Sequence, residues 1–286
     1  MRINANIAAL NASRNLSGTN ASLAKSLEKL SSGYRINRAA DDAAGLAISE
    51  GLRSEIKGAT QAQRNAQDGI SFIQTAEGAL TEVHSMLQRM RELAMQASNT
   101  TSDGTAEQAE VDELVTEITA IGARTKFSGI SVFGDFSAAG AALNFQLSGT
   151  ATASEQVQVT SNLTLSGAAA TGIIGTALTA VDLSTSDATA QAALATLDTA
   201  IGNVSTVRAN LGAVQNRLEH TVANLGVAVE NLTASESRIR DVDIAAEMVN
   251  YTRNSILSQA GTAMLAQANS APQNVLSLIH IDAADE

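Results

Sequence analysis

Few residues in this chain could do chemistry, and they are scattered. His84, His220 and His280 are the only imidazoles among 286 residues, and none stands in a His-Glu-x-x-His arrangement or at another metal-ligand spacing. His84 follows Val83 and His220 precedes Thr221, so both flank helical seams and read as structural residues. Cysteine is absent, which removes thiolate metal sites, disulfides and cysteine nucleophiles together. No Gly-x-x-x-x-Gly-Lys phosphate loop and no Gly-x-Ser-x-Gly elbow occurs. Glu107, Glu110, Asp112, Glu113 and Glu117 crowd one stretch whose apolar residues supply the opposite side of a helix, which describes a solvated face rather than an acid–base pair. Asn-x-Ser/Thr triplets such as those at Asn11, Asn99 and Asn203 fall mostly within helical stretches and read as accidents. The expectation is a chain without catalytic residues, cofactor or metal.

What the chain carries in quantity is apolar periodicity. Val204, Val207, Leu211, Val214, Leu218, Leu225, Ala228, Leu232 and Ile239 keep one 3-4 register, broken only by Thr221 and Ser235. Such spacing draws one stripe along a helix, and a stripe that long needs a partner helix. Ile73, Ala76, Leu80, Val83, Leu87, Met90 and Ala94 hold the same spacing far upstream. The chain therefore goes out, turns through other structure and returns alongside itself. Residues 204–239 alone span about 54 Å as helix.

Composition supports long helices. The chain has five Phe, two Tyr and no Trp within 44% hydrophobic residues, and a single proline, Pro272, so small and branched aliphatics do the packing and little interrupts a helix. A net charge of −11 argues against nucleic acid, which requires a basic face. No apolar run reaches the ~18 residues that a membrane span needs, and the asparagines in Met1-Arg2-Ile3-Asn4-Ala5-Asn6-Ile7 interrupt any signal-peptide core. The lack of cysteine fits a cytosolic protein, or one exported without oxidative folding; composition leaves both open.

Along the chain, Ile3, Ile7, Leu10, Leu16, Leu23, Leu27, Leu30 and Tyr34 approximate one helical face among polar, weakly helix-forming residues. That segment needs a cover to be helical. Ser31-Ser32-Gly33 interrupts it, and Asp41-Asp42 makes an acidic start for a second helix running towards Asn99. A polar turn at 99–104 precedes a third helix carrying Val111, Leu114, Val115, Ile118 and Ile121, ending at or shortly after Gly122. From Phe127 the period changes: 144–147, 156–159 and 162–165 alternate polar and apolar residues and read as short antiparallel strands. Residues 167–186, rich in Gly, Ala, Ser and Thr, read as a surface loop with one turn or strand at Ile173-Ile174. The whole stretch 127–207 lacks lysine and arginine. Helix returns near Thr189, and a last helix carries Ile244, Met248, Tyr251, Ile256, Leu257, Ala260, Met264, Leu265 and Ala268. The fold class is mainly α: a long antiparallel α-helical coiled-coil bundle with a small β-hairpin region. Both terminal helices have more apolar face than one partner covers, which marks association.

Several motifs carry a resemblance. Met1-Arg2-Ile3-Asn4-Ala5-Asn6-Ile7-Ala8-Ala9-Leu10-Asn11, Leu30-Ser31-Ser32-Gly33-Tyr34-Arg35-Ile36-Asn37, Asp41-Asp42-Ala43-Ala44-Gly45-Leu46-Ala47-Ile48 and Gln88-Arg89-Met90-Arg91-Glu92-Leu93-Ala94 closely resemble the N-terminal region of bacterial flagellins. Leu211-Gly212-Ala213-Val214-Gln215-Asn216-Arg217-Leu218, Glu236-Ser237-Arg238-Ile239-Arg240-Asp241 and Gln267-Ala268-Asn269-Ser270-Ala271-Pro272-Gln273-Asn274-Val275-Leu276 resemble their C-terminal region. The resemblance covers roughly residues 1–135 and 190–279.

It implies a structural subunit of the flagellar filament, extracellular, exported unfolded through the flagellar type III apparatus without a cleaved signal peptide. In the family, terminal segments disordered in the monomer form a filament core, D0, and inner paired helices with β-hairpins form D1. Carried over, 1–44 is the D0 N-terminal helix and spoke, 45–126 the D1 N-terminal helices, 127–188 the hairpin region, 189–243 the D1 C-terminal helix, and 244–286 the D0 C-terminal helix with an acidic tail. The middle, about 127–188, is barely long enough for the hairpins, so the outer domains of many members are expected to be absent or vestigial, and the missing His-Glu-x-x-His excludes the peptidase insertion of a few. The tail from His280 to Glu286 runs past the position where members ordinarily stop.

The polymerisation core implied is Ile3, Ile7, Leu10, Leu23, Leu27, Leu30, Ile256, Leu257, Met264, Leu265, Val275 and Leu276. Implied partners are other flagellin subunits, a secretion chaperone, the filament cap, hook–filament junction proteins and the vertebrate Toll-like receptor for flagellin. That receptor would meet Arg89, Leu93, Gln96 and Glu110, although Leu93 beside a packed seam could equally be kept for filament contact. A hook–filament junction protein or a surface adhesin on the same helical arms are the other readings.

Overall fold

The computed structural model describes residues 6–99, 104–133, 143–147, 156–159, 181–183 and 187–282. Among them the chain forms helices α1 (Ile7–Ser32), α2 (Ala43–Ala97), α3 (Thr105–Arg124), α4 (Asp187–Arg240) and α5 (Ile244–Asp282). Four short strands are β1 (Lys126–Phe127), β2 (Ile130–Ser131), β3 (Leu143–Gln146) and β4 (Gln156–Val159). Contacts divide the chain into two compact units, one of Ser54–Asn231 and one of Met1–Arg53 with Leu232–Glu286. These limits lie inside α2 and α4. Within the terminal unit the first turns of α2 and the last of α4 are joined by Arg240 Nη1, which donates to Glu50 Oε1 at 2.8 Å.

In the unit Ser54–Asn231 the two long heptads meet. Ala66, Ile73, Ala76, Leu80, Val83, Leu87, Met90, Ala94 and Ala97 of α2 share one buried cluster with Ala190, Ala193, Leu197, Ala200, Val204, Leu211 and Leu218 of α4. The alanines alternating with larger aliphatics let two helices approach closely while leaving no gap. Two ion pairs report the antiparallel direction: Arg91 Nε with Asp198 Oδ1 at 2.6 Å, and Arg208 Nη2 with Glu77 Oε1 at 3.5 Å. Helix α3 adds Val111 and Ile118 to the core, with Leu114, Val115 and Ile121 packed on its margin.

The expected acidic face of α3 needs one correction. Glu110, Asp112, Glu113 and Glu117 are exposed, but Glu107 is 7% exposed and accepts from Gln96 Nε2 at 2.9 Å. It sits in the first turn, where a carboxylate meets the positive end of the helix.

The hairpins cover the far end of this core. β3 and β4 pair antiparallel from Leu143↔Val159 to Gln146↔Gln156, one residue earlier on the first strand than its alternation suggested. The expected strand at 162–165 and the feature at Ile173-Ile174 lie outside the described residues. β1 and β2 form a tighter hairpin that the sequence reading did not name, turning through Ser128 and Gly129 with φ of 51° and 84°. Positive φ at both central residues is the two-residue hairpin geometry that matches strand twist. Phe127 then meets Phe72 edge-on with ring centroids 5.9 Å apart, and Phe145 lies 6.2 Å from the same ring. Residues 181–183 also depart from the expected surface loop: Val181 and Leu183 are buried. Gln108 on α3 clamps them, its Oε1 accepting from Leu183 N–H at 2.7 Å and its Nε2 donating to the Val181 carbonyl at 3.3 Å.

The terminal unit pairs α1 with α5, also antiparallel. Asn6 Nδ2 donates to the Ala268 carbonyl at 2.7 Å, at the start of α1, and Ser258 Oγ to Asn20 Oδ1 at 2.8 Å, at its middle. Asn6 caps α1 by accepting from Ala9 N–H, and Gly33, at φ 74°, ends it with its N–H on the Lys29 carbonyl. The acidic start expected for α2 divides its work: Asp42 Oδ1 accepts from Gly45 N–H at 2.9 Å, whereas Asp41 binds the preceding loop and Lys25.

Candidate assembly surface

The two units differ in what they bury. The apolar heptads of α2 and α4 make a sealed core, but no apolar side chain of α1, nor of α5 as far as residue 271, is fully buried. Among the expected polymerisation residues, Ile7, Leu10, Leu27, Ile256, Leu257 and Met264 are exposed, from 50% at Leu257 to 65% at Met264. Leu23, Leu30 and Leu265 are half-buried within their own pair. Ile3 and the side chains of Val275 and Leu276 lie outside the described residues.

Sequence reasoning left out Val249, which is also exposed. It joins Met248, Thr252, Arg253, Ile256 and Leu257 around one open groove. A second concavity runs between the helices, where Leu16 and Thr19 of α1 face Gly261 and Met264 of α5. Gly261 permits this approach, since a Cβ there would stand 3.1 Å from Leu16 Cδ1. Apolar residues surround α5 on more than the α1 side, and a helix apolar on several sides is built for burial. The arrangement can do no bond chemistry; it can exclude water with a like surface.

The other expected patch lies on α2 and α3. Arg89 grips Glu110 with two bonds, Nε to Oε1 at 2.8 Å and Nη2 to Oε2 at 3.2 Å, and Nη1 reaches Glu92 at 3.3 Å. The Glu110 hydrogen bond raises the Arg89 pKa above its usual value, and Arg89 holds the Glu110 carboxyl below the usual range. Both side chains remain about half exposed, so water screens the pair. Gln96 is exposed and tied to Glu107. Leu93, the fourth residue of the expected patch, is 2% exposed and belongs to the core, where it flanks the Met90–Ala94 seam.

His84 is half-buried beside Gln88 and His220 is exposed. Among the described residues no group of three or more metal-binding side chains comes together. No helix there is long and apolar enough to cross a membrane.

A sealed helical core joined in one chain to a helix pair with unsealed apolar faces defines a subunit of a larger helical assembly. The family model for the bacterial flagellin N-terminal helical region matches residues 3–138, and that for the C-terminal helical region matches residues 194–279. The flagellin of Halalkalibacterium halodurans is 52% identical and that of Bacillus subtilis 51%, each over 98% of this chain and 100% of the relative. The crystal structure of Bacillus cereus flagellin aligns with a TM-score of 0.44 at 30% identity, over 57% of this chain and 88% of that one. The chain belongs to the bacterial flagellin family. It is a structural subunit of the flagellar filament and polymerises with other flagellin subunits; nothing in these matches favours a junction protein or an adhesin.

Proposed function

We propose that α1 and α5 are the device by which the filament grows, and that they become fully ordered only when neighbouring copies cover them. The observation that carries this is the absence of any fully buried apolar side chain on α1 or on α5 to residue 271, beside the sealed core of α2, α3 and α4. Burying one large aliphatic side chain contributes about 1.5–3 kcal/mol. Ile7, Leu10, Leu27, Ile256, Leu257 and Met264 together thus offer on the order of 10 kcal/mol to an assembled subunit, against the entropy of ordering two helices. Ile3, Leu23, Leu30, Leu265, Val275 and Leu276 complete the same surface in this reading.

On this reading D0 comprises 1–44 and 244–286, with D1 between them as 45–126, 127–188 and 189–243. Export proceeds unfolded through the flagellar type III apparatus with no cleaved leader, to an extracellular filament. A secretion chaperone shields the C-terminal helix beforehand, and the cap and hook–filament junction proteins meet the same terminal surfaces. The chain performs no catalysis. The vertebrate Toll-like receptor for flagellin engages Arg89, Gln96 and Glu110, with Leu93 supporting them from beneath.

Seeded elongation tests the central claim. Full-length protein added to filament fragments should extend them, whereas chains lacking 1–30 or 245–286 should stay soluble with the α2–α4 core intact. Elongation by the truncated chains at the parental rate would refute the terminal-helix mechanism.

A further inference from the structure

The terminal unit breaks its helices twice, at 33–42 and at 241–243, and the two breaks are stitched together. Arg35 N–H donates to the Arg240 carbonyl at 2.7 Å and Val242 N–H to the Gly33 carbonyl at 3.0 Å, an isolated antiparallel bridge between Tyr34 and Asp241. Arg35 Nη2 adds a bond to the Ile239 carbonyl at 2.7 Å, satisfying an acceptor left free at the end of α4. Ser237 Oγ donates to Asp241 Oδ2 at 2.6 Å and steadies the same corner.

One bridge of two backbone bonds is too small to persist alone. Arg240 supplies what holds it. Its guanidinium lies 4.8 Å from the Tyr34 ring centroid, and Nη1 reaches Glu50 on the second turn of α2. The side chain is only 12% exposed while Glu50 is half in solvent, and Arg240 Nε is enclosed without a hydrogen-bond partner. An enclosed guanidinium with an unsatisfied donor is a poor choice for stability alone, since an apolar side chain would fill the space at lower desolvation cost. A planar cation does something an apolar residue cannot: it stacks on a ring with one face and forks to a carboxylate with its edge, fixing the angle between them. Arg240 therefore ties three segments: the end of α4, the loop after α1 and the start of α2.

We infer that Arg240, stacked on Tyr34 and paired with Glu50, is a positioning residue for filament assembly. It sets the direction in which α1 and α5 leave the two breaks, and hence the placement of their apolar surface for the next copy. This rests on the reading that α1 and α5 drive elongation. None of its residues belongs to the buried cluster of α2, α3 and α4, so the core should not register its loss.

The test is seeded elongation by full-length Arg240→Ala, Arg240→Lys, Tyr34→Phe and Tyr34→Ser chains, with thermal unfolding of each soluble monomer measured in parallel. Arg240→Ala and Tyr34→Ser should raise the monomer concentration needed for elongation about tenfold, the equivalent of ~1.4 kcal/mol, with the main melting transition unmoved. Tyr34→Phe, which keeps the ring, should stay within about twofold of the parent, and Arg240→Lys should fall between. Arg240→Ala elongating at the parental concentration would overturn the inference. So would a drop in core melting that accounts for the lost elongation, or a Tyr34→Phe chain as impaired as Tyr34→Ser. The chain lacking 1–30, run alongside, separates the two claims: its growth would remove the terminal-helix mechanism whatever Arg240 does.

Discussion

Gly69 on α2 lies against the ring of Phe145 on β3 so closely that a methyl at Gly69 would meet the ring carbons, and Leu218 Cδ1 from α4, at 3.2 Å. Three elements thus converge on a position without a side chain. Glycine inside a helix costs about 1 kcal/mol relative to alanine, and Gly78 on the same helix has nothing within 4 Å of its would-be methyl. Gly78→Ala should therefore raise the melting temperature. Gly69→Ala should lower it, with a net loss of about 1 kcal/mol of stability, because the overpacking outweighs the gain in propensity. Thermal unfolding followed by circular dichroism compares the two; equal gains would mean that the β3–β4 hairpin does not sit on α2.

Lys25 and Asp41 join the end of α1 to the following loop at 2.8 Å. The Lys25 bond, then the backbone N–H of Arg38, holds the Asp41 carboxyl down to about 2. Because its folded pKa is depressed, its contribution is complete above the unfolded carboxylate range and is lost as pH falls through about 2. Lys25 is shifted the other way, raised chiefly by its hydrogen bond to Asp41. Its share is present below the ordinary lysine pKa and lost as pH rises past the raised value. Acid titration of the ordered chain followed by carboxyl resonances should find Asp41 still ionised at pH 3. Asp41→Asn should flatten the stability–pH curve below about pH 4 and leave it unchanged between 6 and 8. An Asp41 that titrates at the ordinary aspartate value would show the contact is absent in solution.

The long helices were legible because unbroken 3-4 spacing over Ile73–Ala94 and Val204–Leu218 admits no other local solution, and the caps at Gly33 and Asp42 announce their function by type. The two-residue strands β1 and β2 left only Ser128-Gly129 as a clue, a turn signal between segments too short for alternation to register. Val181 and Leu183 looked like loop because their anchor, Gln108, lies over 70 residues away in sequence. The joint of Tyr34 and Arg240 is invisible for the same reason: backbone bonds between remote segments impose no pattern on side chains. The exposed apolar face of the terminal helices is only partly legible. Excess apolar stripe could be read, but separating exposed Leu27 from half-buried Leu23 depends on how α1 and α5 are registered.

The proposed receptor patch comprises exposed Arg89, Gln96 and Glu110 over buried Leu93, and substitutions should separate the two kinds. Arg89→Ala removes a forked pair with Glu110 that is open to solvent, so monomer stability should change by less than about 1 kcal/mol. A cell reporter carrying the vertebrate receptor should nevertheless lose about tenfold or more in sensitivity, as when an interfacial arginine is truncated. Leu93→Ala should act through packing, lowering the melting temperature with a cavity cost of about 2–5 kcal/mol. A reporter silent towards the parent protein, or indifferent to Arg89→Ala, would remove the patch from the list of partners.

Large apolar residues in this chain should fall into two classes with opposite phenotypes. Leu87 has no exposed surface and stands in the α2–α4 seam, so Leu87→Ala leaves a cavity that its neighbours can only partly fill. It should destabilise the monomer by about 2–5 kcal/mol. Ile256 exposes 60% of its surface beside the groove on α5, so Ile256→Ser should leave monomer melting unchanged within about 0.5 kcal/mol. On the proposed terminal-helix mechanism the same change removes apolar area that the filament buries and places a hydroxyl there instead. Elongation should then require at least tenfold more monomer, for a loss of ~1.4 kcal/mol or more. Calorimetry of the monomers and seeded elongation give the two coordinates for each variant. If Ile256→Ser lowered monomer melting as Leu87→Ala does, α5 would already be buried before assembly, and its exposed face could not be the driving surface.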